Sequence, residues 1–335
     1  MRKHTVSKVI ISFLLVTVMV VSVIGCSSNE SSSIAANRVP ASNAQSIQNQ
    51  LQVGSGKVVE IEYWHINSET FGGLTTTELV DEFNRNNPGI RVTEMFIPNS
   101  YQGMTQDLLS RVAINKTPDV IQMGWSYLEY FSSNFAYTTP QNLIAEVGGN
   151  ASFIEDTYPE QIKNLAVNVD GVLAGFPYGL SVPVLFVNDT ILDEAGIDKN
   201  TLTTWPKVKE AAKIIQDKTG KWGFCKAEYS YTWELQCIIE SNGGRYIADG
   251  KSGIDSPESV EAYTLIADMV LKDKSAIRMA GTDGRAAFAS GEIGMYYDSV
   301  SMTTFILNNA VEPVTVLKTP LWENKQPRIP CGGNM

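Results

Sequence analysis

The sequence predicts an α/β protein of two domains with a mostly parallel sheet. Short apolar or alternating runs of strand type alternate with longer amphipathic runs of helix type, the order expected when helices cover a parallel sheet. The chain has 335 residues, enough for two sizeable cores once a leader is set aside. Its 43% hydrophobic and 19% charged content is that of an ordinary globular protein.

The elements follow in order. Val58 to Trp64 alternates as a strand, and Thr76 to Asn86 reads as a helix stopped by Asn87-Pro88-Gly89. Ile90 to Ile97 is a second strand, Gln102 to Ala113 a helix, and Asp119 to Met123 a short apolar strand with Gly124 behind it. Val182 to Val187 is a strand, and Ile191 to Ala195 a short helix closed by Gly196. Thr204 can cap a helix that runs to Lys218, with Pro206 in its first turn. Trp222 starts a strand, and Trp233 to Ser241 is a helix ending at Asn242-Gly243-Gly244. Ser256-Pro257-Glu258 opens a helix to Lys272, and Ala286 to Ser290 is a helical turn. Ile293 to Tyr297 is a strand, Met302 to Asn309 a helix and Val314 to Leu317 a strand.

A leader precedes all of this. Arg2, Lys3 and Lys8 are followed by an uncharged, mostly apolar run from Val9 to Ile24, the layout of a secretory signal peptide over residues 1–25. The run is shorter than the ~20 residues a spanning helix needs. Val23-Ile24-Gly25-Cys26 resembles the bacterial lipobox, which implies a lipid anchor at Cys26. Two or more acyl chains there would hold the protein stably at the membrane. Residues 26–56 then carry the lipidated Cys and a Ser-, Asn-, Gln- and Ala-rich tether too poor in large apolar side chains to fold.

Composition argues against several function classes. A net charge of -10 lacks the basic patch that nucleic acid requires. With His4 in the leader, His65 is the one histidine of the mature chain, and no G-x-S-x-G, zinc-type Cys/His spacing, P-loop or G-x-G-x-x-G is present. No cofactor and no metal is expected. Cys225 and Cys237 could form a disulfide in an exported protein, leaving Cys331 over; equally, they are small buried thiols.

Several segments, in order, resemble the extracellular solute-binding proteins of family 1, the maltose-binding-protein type. They are the Tyr63-Trp64-His65 strand end, Phe83-Asn84 with Asn87-Pro88-Gly89-Ile90, and PDVIQMGW from Pro118 to Trp125. The next are FPYGLSVPVLFVNDTILDEAGI from Phe176 to Ile197 and TWPKVKEAAKII from Thr204 to Ile215. EYSYTWELQCIIESNGG from Glu228 to Gly244, FASGEIGMYYD from Phe288 to Asp298 and VTVLKTP from Val314 to Pro320 complete the set. The resemblance implies a type II periplasmic-binding-protein-like fold: two α/β lobes joined by hinge strands, with a ligand cleft between them. Lobe 1 would span 57–177 and lobe 2 would span 178–313, with 314–335 returning to lobe 1. Family chains continue past that return, so the sequence reads as C-terminally incomplete.

Sugar clefts need aromatic rings for CH faces and polar side chains for hydroxyls. Strand ends facing the cleft are the natural places. Trp64 and His65 end the first strand, although Trp64 could equally be core; Trp125 and Tyr127 follow the third. Glu228, Tyr229, Tyr231 and Trp233 match the family's aromatic ligand segment. Asp298 and Ser299 stand where the family often has Gly-Ser-Trp or Gly-Pro-Trp, and that Trp is absent here. Asp119 is expected to cap or hydrogen-bond the local backbone instead of ligand. The resulting expectation is a monomeric, lipid-anchored receptor on the extracytoplasmic face, handing a sugar or oligosaccharide to an ABC importer's permease. The rivals are a sugar-sensing subunit of a signalling receptor and a glycosidase using two carboxylates ~5–10 Å apart.

Overall fold

The computed structural model describes residues 58–228, 233–248, 250–323, 325 and 327–335. The leader, Cys26 and the tether lie outside the described residues. The chain divides into two units. One comprises residues up to Tyr178 together with Asn334–Met335, and the other Gly179–Gly333.

The first unit is built on three parallel strands. β1 (Val59–His65) lies between β2 (Ile90–Phe96) and β3 (Val120–Ile121), in the order β2-β1-β3. Helix α1 (Leu74–Asn86) connects β1 to β2 and buries Val80 and Phe83 against Ile61, Tyr63 and Val92. Asn84 ties it to the sheet: its side chain donates to the Val92 carbonyl at 2.9 Å and accepts the Val92 N–H at 2.7 Å. Asn87 caps the helix end by donating to the Phe83 carbonyl at 2.8 Å. Helix α2 (Ser100–Val112) leads to β3 and sends Met104 and Leu108 into a core shared with Trp64, Met123 and Phe131.

Four short helices follow: α3 (Leu128–Asn134), α4 (Pro140–Glu146), α5 (Phe153–Thr157) and α6 (Glu160–Lys163). Each is too short for a readable 3.6-residue period; α3 adds Phe131 to the Trp64 core, and α4, α5 and α6 close a second core of Leu143, Ile144, Ile154 and Phe176. Asn334–Met335 complete the unit. Met335 exchanges both backbone hydrogen bonds with Met123, at 2.8 and 2.9 Å, and Asn334 donates its side-chain amide to Tyr101 Oη at 2.7 Å.

The second unit holds β4 (Gly179–Ser181), β5 (Pro183–Asn188), α7 (Asp189–Ala195), α8 (Trp205–Thr219), β6 (Trp222–Glu228) and α9 (Trp233–Ser241). It continues with the hairpin β7 (Ile247–Ala248) and β8 (Lys251–Ser252), α10 (Pro257–Leu271), β9 (Ala276–Ala280), α11 (Gly281–Ala289) and β10 (Ile293–Ser299). α12 (Thr303–Asn309), β11 (Val314–Lys318) and β12 (Gly332–Asn334) end the chain, and β12 pairs with β4. The main sheet has the order β11-β5-β10-β6-β9. β10, β6 and β9 are parallel, whereas β5 runs against both its neighbours.

β5 is buried at every residue, as a strand covered on both faces must be. α8 buries Trp205, Val208, Ala211, Ala212 and Ile215, a stripe at helical spacing. Trp205 meets Tyr297 edge-on with ring centroids 5.0 Å apart. Gly223 lets this helix lie flat on β6, since a Cβ there would stand 2.1 Å from the Ala212 carbonyl oxygen.

Two expectations are corrected here. Val314–Lys318 does not return to the first unit. It pairs along its whole length with β5, Val314 opposite Asn188 and Lys318 opposite Val184, and Trp322 beyond it is buried in the second unit's core. An alternating run announces a strand but not which sheet receives it. Thr204 precedes α8 in extended conformation, but its hydroxyl makes no capping bond. The Trp205 N–H is taken by the Leu321 carbonyl at 3.0 Å, so the backbone of an isolated Thr204–Leu321 bridge satisfies an end that a side chain was expected to serve. Among the described residues, no helix is long and apolar enough to cross a membrane.

Candidate ligand-binding site

In the first unit the three parallel strands bring His65, Phe96 and Ile121 to one sheet edge. Trp64 is not available at that edge. It is 1% exposed, donates its indole N–H to the Glu62 carboxylate, and carries the Arg111 guanidinium 5.5 Å from its ring centroid. Of its two readings, the structure gives core packing.

His65 is also buried. Its Nδ1 accepts the Asn67 N–H at 3.2 Å, so the neutral ring carries its proton on Nε2, 3.3 Å from Glu94 Oε2. Burial lowers its pKa, against the opposing pull of Glu94. Asp119 accepts the Glu62 N–H at 3.0 Å, a structural role on backbone, but on the β1 strand 57 residues earlier and not on the local backbone expected. Gln122, which sequence did not single out, is buried beside this edge and accepts the Ile66 N–H at 3.0 Å.

Trp125 and Tyr127 form the 3-10 turn behind β3. Trp125 packs against the Leu143–Phe176 core, and its buried indole N–H has no hydrogen-bond partner among the described residues. Tyr158 in the same cluster has an equally unpartnered hydroxyl, pushed up to about 12 by burial. Two orphaned donors in one cluster are uncommon, because buried polar atoms are almost always paired. Tyr127 rests its ring 6.2 Å from that of Tyr101, and burial raises its hydroxyl pKa.

In the second unit, β6, β9 and β10 end at one edge, with Ser299 opposite Pro183 at the start of β5. Glu228 is bound there by both its oxygens. Arg278 donates Nε to Oε1 and Nη2 to Oε2, each at 2.9 Å, and Lys226 Nζ lies 3.4 Å from Oε1. The Arg278 bonds, with Lys226, hold the carboxyl below its usual range. Asp298 is fully buried; it accepts the Ser299 N–H at 2.6 Å and faces Arg285 Nη2 at 3.4 Å. Burial raises its pKa in spite of Arg285. The Ser299 hydroxyl is used locally, with Ser181 and Ser301 and as acceptor of the Ser301 N–H at 3.1 Å.

Trp233 opens α9 half-buried. Its Nε1–H donates to the Pro330 carbonyl at 2.9 Å, and its ring lies against Gly332, where a Cβ would come within 2.8 Å. Tyr229 and Tyr231 lie outside the described residues. Glu234, the next residue on α9, went unnoticed in sequence. It is 1% exposed, and its Oε1 meets no donor among the described residues. Burial, then the charge of Asp298, pushes its carboxyl to about 8. A lone Glu in an amphipathic helix gives no sequence sign of this.

The second unit therefore gathers Glu228, Trp233, Glu234, Asp298 and Ser299 around one strand edge and the helix that follows it. The first gathers His65, Trp125 and Tyr127 around another. No group of three or more His, Cys, Asp or Glu side chains among the described residues could hold a metal ion.

The sequence pattern of bacterial extracellular solute-binding proteins matches residues 68–334. The chain belongs to this family. Relatives of this solute-binding protein include the sn-glycerol-3-phosphate-binding periplasmic protein UgpB of Agrobacterium fabrum (strain C58), 26% identical over 289 residues. That match covers 82% of this chain and 65% of the relative. The arabinooligosaccharide-binding protein of Bacillus subtilis (strain 168) is 24% identical over 288 residues, 84% of this chain and 57% of the relative. The chain thus spans somewhat less than two thirds of the length of these relatives.

Among solved structures, UgpB from Mycobacterium tuberculosis in complex with glycerophosphocholine superposes with a TM-score of 0.73 at 19% identity, over 84% of this chain and 72% of that one. Maltose-bound MalE3 of T. maritima superposes with a TM-score of 0.68 at 22% identity, over 83% and 71%. The fold is the type II periplasmic-binding-protein-like α/β fold that the sequence motifs implied.

Proposed function

We propose that this chain is the solute-binding component of a bacterial ABC importer. In this reading it is tethered through lipidated Cys26 on the extracytoplasmic face, acts as a monomer, and passes a neutral carbohydrate to the membrane permease. It binds and releases without breaking a bond of the solute. Ligand acts by favouring the bound conformation over the empty one, to the extent of its differential affinity.

The observation that carries the choice of ligand is that each of these cations at the strand edge of the second unit already has a carboxylate partner. Arg278 and Lys226 share Glu228, and Arg285 faces Asp298. A phosphate ester would need cations not already committed to carboxylates. A pyranose needs an aromatic face and paired polar groups, which Trp233 and its acidic neighbours supply. The relatives that bind arabinooligosaccharide and maltose fit this reading, while the sn-glycerol-3-phosphate-binding relatives point to a polyol phosphate.

Titration calorimetry separates the two. Neutral mono- and oligosaccharides are run beside sn-glycerol 3-phosphate on the wild type, Trp125→Ala and Trp233→Ala. Saturable binding of a neutral sugar, weakened in both variants, is expected. Tight binding of sn-glycerol 3-phosphate alone would overturn the choice of ligand and leave the receptor role standing.

A further inference from the structure

The described residues contain three cysteines, all as free thiols: Cys225 and Cys237, both buried, and Cys331, half-exposed. The pair suggested by sequence spacing, Cys225 with Cys237, is ruled out by the sheet. Cys225 lies beside Tyr296 in the β10–β6 register and touches the Gly284 side of the sheet, where a Cβ at Gly284 would meet Tyr296 and Cys225 Sγ at 3.1 and 3.2 Å. The helix that carries Cys237 lies on the other face: its Ile238 and Ile239 share one core with Phe224 of β6 and Tyr297 of β10, the strand neighbours of Cys225 and Tyr296. Successive strand residues point to opposite faces. The two thiols therefore have the sheet between them.

Cys237 has a nearer partner. Residues 328–332 run along one face of α9, and the contacts fall at Trp233, Cys237 and Glu240, spaced i, i+4 and i+7. Arg328 Nε lies 3.3 Å from Glu240 Oε2. Cys237 Sγ donates to the Pro330 carbonyl oxygen at 3.4 Å, and Trp233 Nε1 donates to that same oxygen at 2.9 Å. Gly332 rests on the Trp233 ring. Cys331 is the residue between these last two contacts. The Pro330 carbonyl oxygen is about 2.8 Å from the Cα of Cys331, so that Cα stands within about 6 Å of Cys237 Sγ, and the two Cα atoms within about 9 Å. That span includes the roughly 4.4–6.8 Å between the Cα atoms of a disulfide.

The geometry points to Cys237 and Cys331 as a disulfide-forming pair that staples the terminal strand to α9 and fixes the Trp233 indole between them. The oxidant is a small or protein disulfide of an oxidising compartment, a setting that rests on the extracytoplasmic reading above. The half-exposed Cys331 thiol loses its proton and attacks one sulfur of the oxidant, and the other sulfur leaves as a thiolate and takes up a proton. Cys237 then loses its proton and attacks Cys331 Sγ in the mixed disulfide, releasing the second thiol of the oxidant. Two cysteines are oxidised by two electrons, and one disulfide is reduced to two thiols. Burial pushes the Cys237 thiol up, with the carboxyls of Glu234 and Glu240 and the Cys331 thiol adding to it.

The test uses the purified full chain and does not depend on where the protein resides. It is incubated with glutathione disulfide, blocked with iodoacetamide under denaturing conditions, digested with trypsin and analysed by mass spectrometry without reduction. Tryptic peptides 227–245 and 329–335 carry Cys237 and Cys331. They are expected as one linked species that separates on reduction, persists in Cys225→Ser and is lost in Cys331→Ser. Recovery of both peptides alkylated and unlinked after oxidation, or linkage of either to the Cys225 peptide, would overturn the proposal.

Discussion

Replacing Glu234 by Gln isolates the cost of a buried acid. Glu234 is 1% exposed and its Oε1 meets no donor among the described residues, so burial keeps the carboxyl neutral up to about pH 8, with Asp298 adding to the effect and Lys226 and Arg285 opposing it. The folded chain therefore holds this proton more tightly than the unfolded chain, whose carboxyl titrates at 4.5. The associated stability is fully present below about pH 4.5 and is lost as pH rises through about 8. Each pH unit inside that window is worth about 1.4 kcal/mol, so roughly 3 kcal/mol should disappear between pH 5.5 and 8.5. Gln reproduces the shape and neutrality of the protonated acid without titrating. Urea unfolding at the two pH values should show the variant about as stable as the wild type at 5.5 and about 3 kcal/mol more stable at 8.5. Other titrating groups are common to both proteins and cancel in the difference. A difference in unfolding free energy that stays constant across this range would refute the reasoning.

Other expectations concern packing, ligand and anchor. Trp205→Ala removes a fully buried indole from the contact with Tyr297 and should cost about 3–5 kcal/mol, read as a fall in urea midpoint. Trp233→Ala should lose about 1–3 kcal/mol of sugar affinity in calorimetric titration, whereas Trp64→Ala should lower the melting temperature and leave affinity of the folded fraction intact. Arg278→Gln frees Glu228 from its bidentate partner, and the Glu228 carboxyl pKa, followed by NMR titration, should rise. Cys26→Ser should release the protein from the detergent phase if the anchor is lipid; unchanged partitioning would point to another attachment.

Local signals carried far. The helix Trp233–Ser241 is bounded as sequence predicts, because Asn242-Gly243-Gly244 ends it unmistakably. The Ser256 hydroxyl accepts the Ser259 N–H at 3.2 Å, the capping that Ser-Pro-Glu advertises. What sequence could not reveal depends on partners distant in the chain. Val314–Lys318 is a strand by its own alternation, but its sheet is decided by β5, more than a hundred residues earlier. Trp64 and Trp125 look alike as strand-end aromatics. One is covered by Met104, Met123 and Phe131, and the other keeps an unsatisfied N–H. Glu228 seemed free to meet a hydroxyl until β9 placed Arg278 beside it. The pairing of thiols likewise turns on which face of the sheet each occupies, and spacing in sequence does not record that.

The pairing of Asn334–Met335 with Met123 sets an order of events during synthesis. The second unit is one unbroken stretch, Gly179–Gly333, and its contacts can all form once that stretch is available. The first unit cannot complete itself in this way, because its last backbone bonds wait for residue 335. At ribosomal rates of about 5–20 residues per second, the delay after Tyr178 is on the order of 10–30 s. During that interval the Met123–Gly124 backbone has no partner on that side and Tyr101 lacks its amide. An unpaired strand edge held open for so long is a place for misassociation. A chain of this extracellular solute-binding family gains from staying unfolded until residues 334 and 335 have been made.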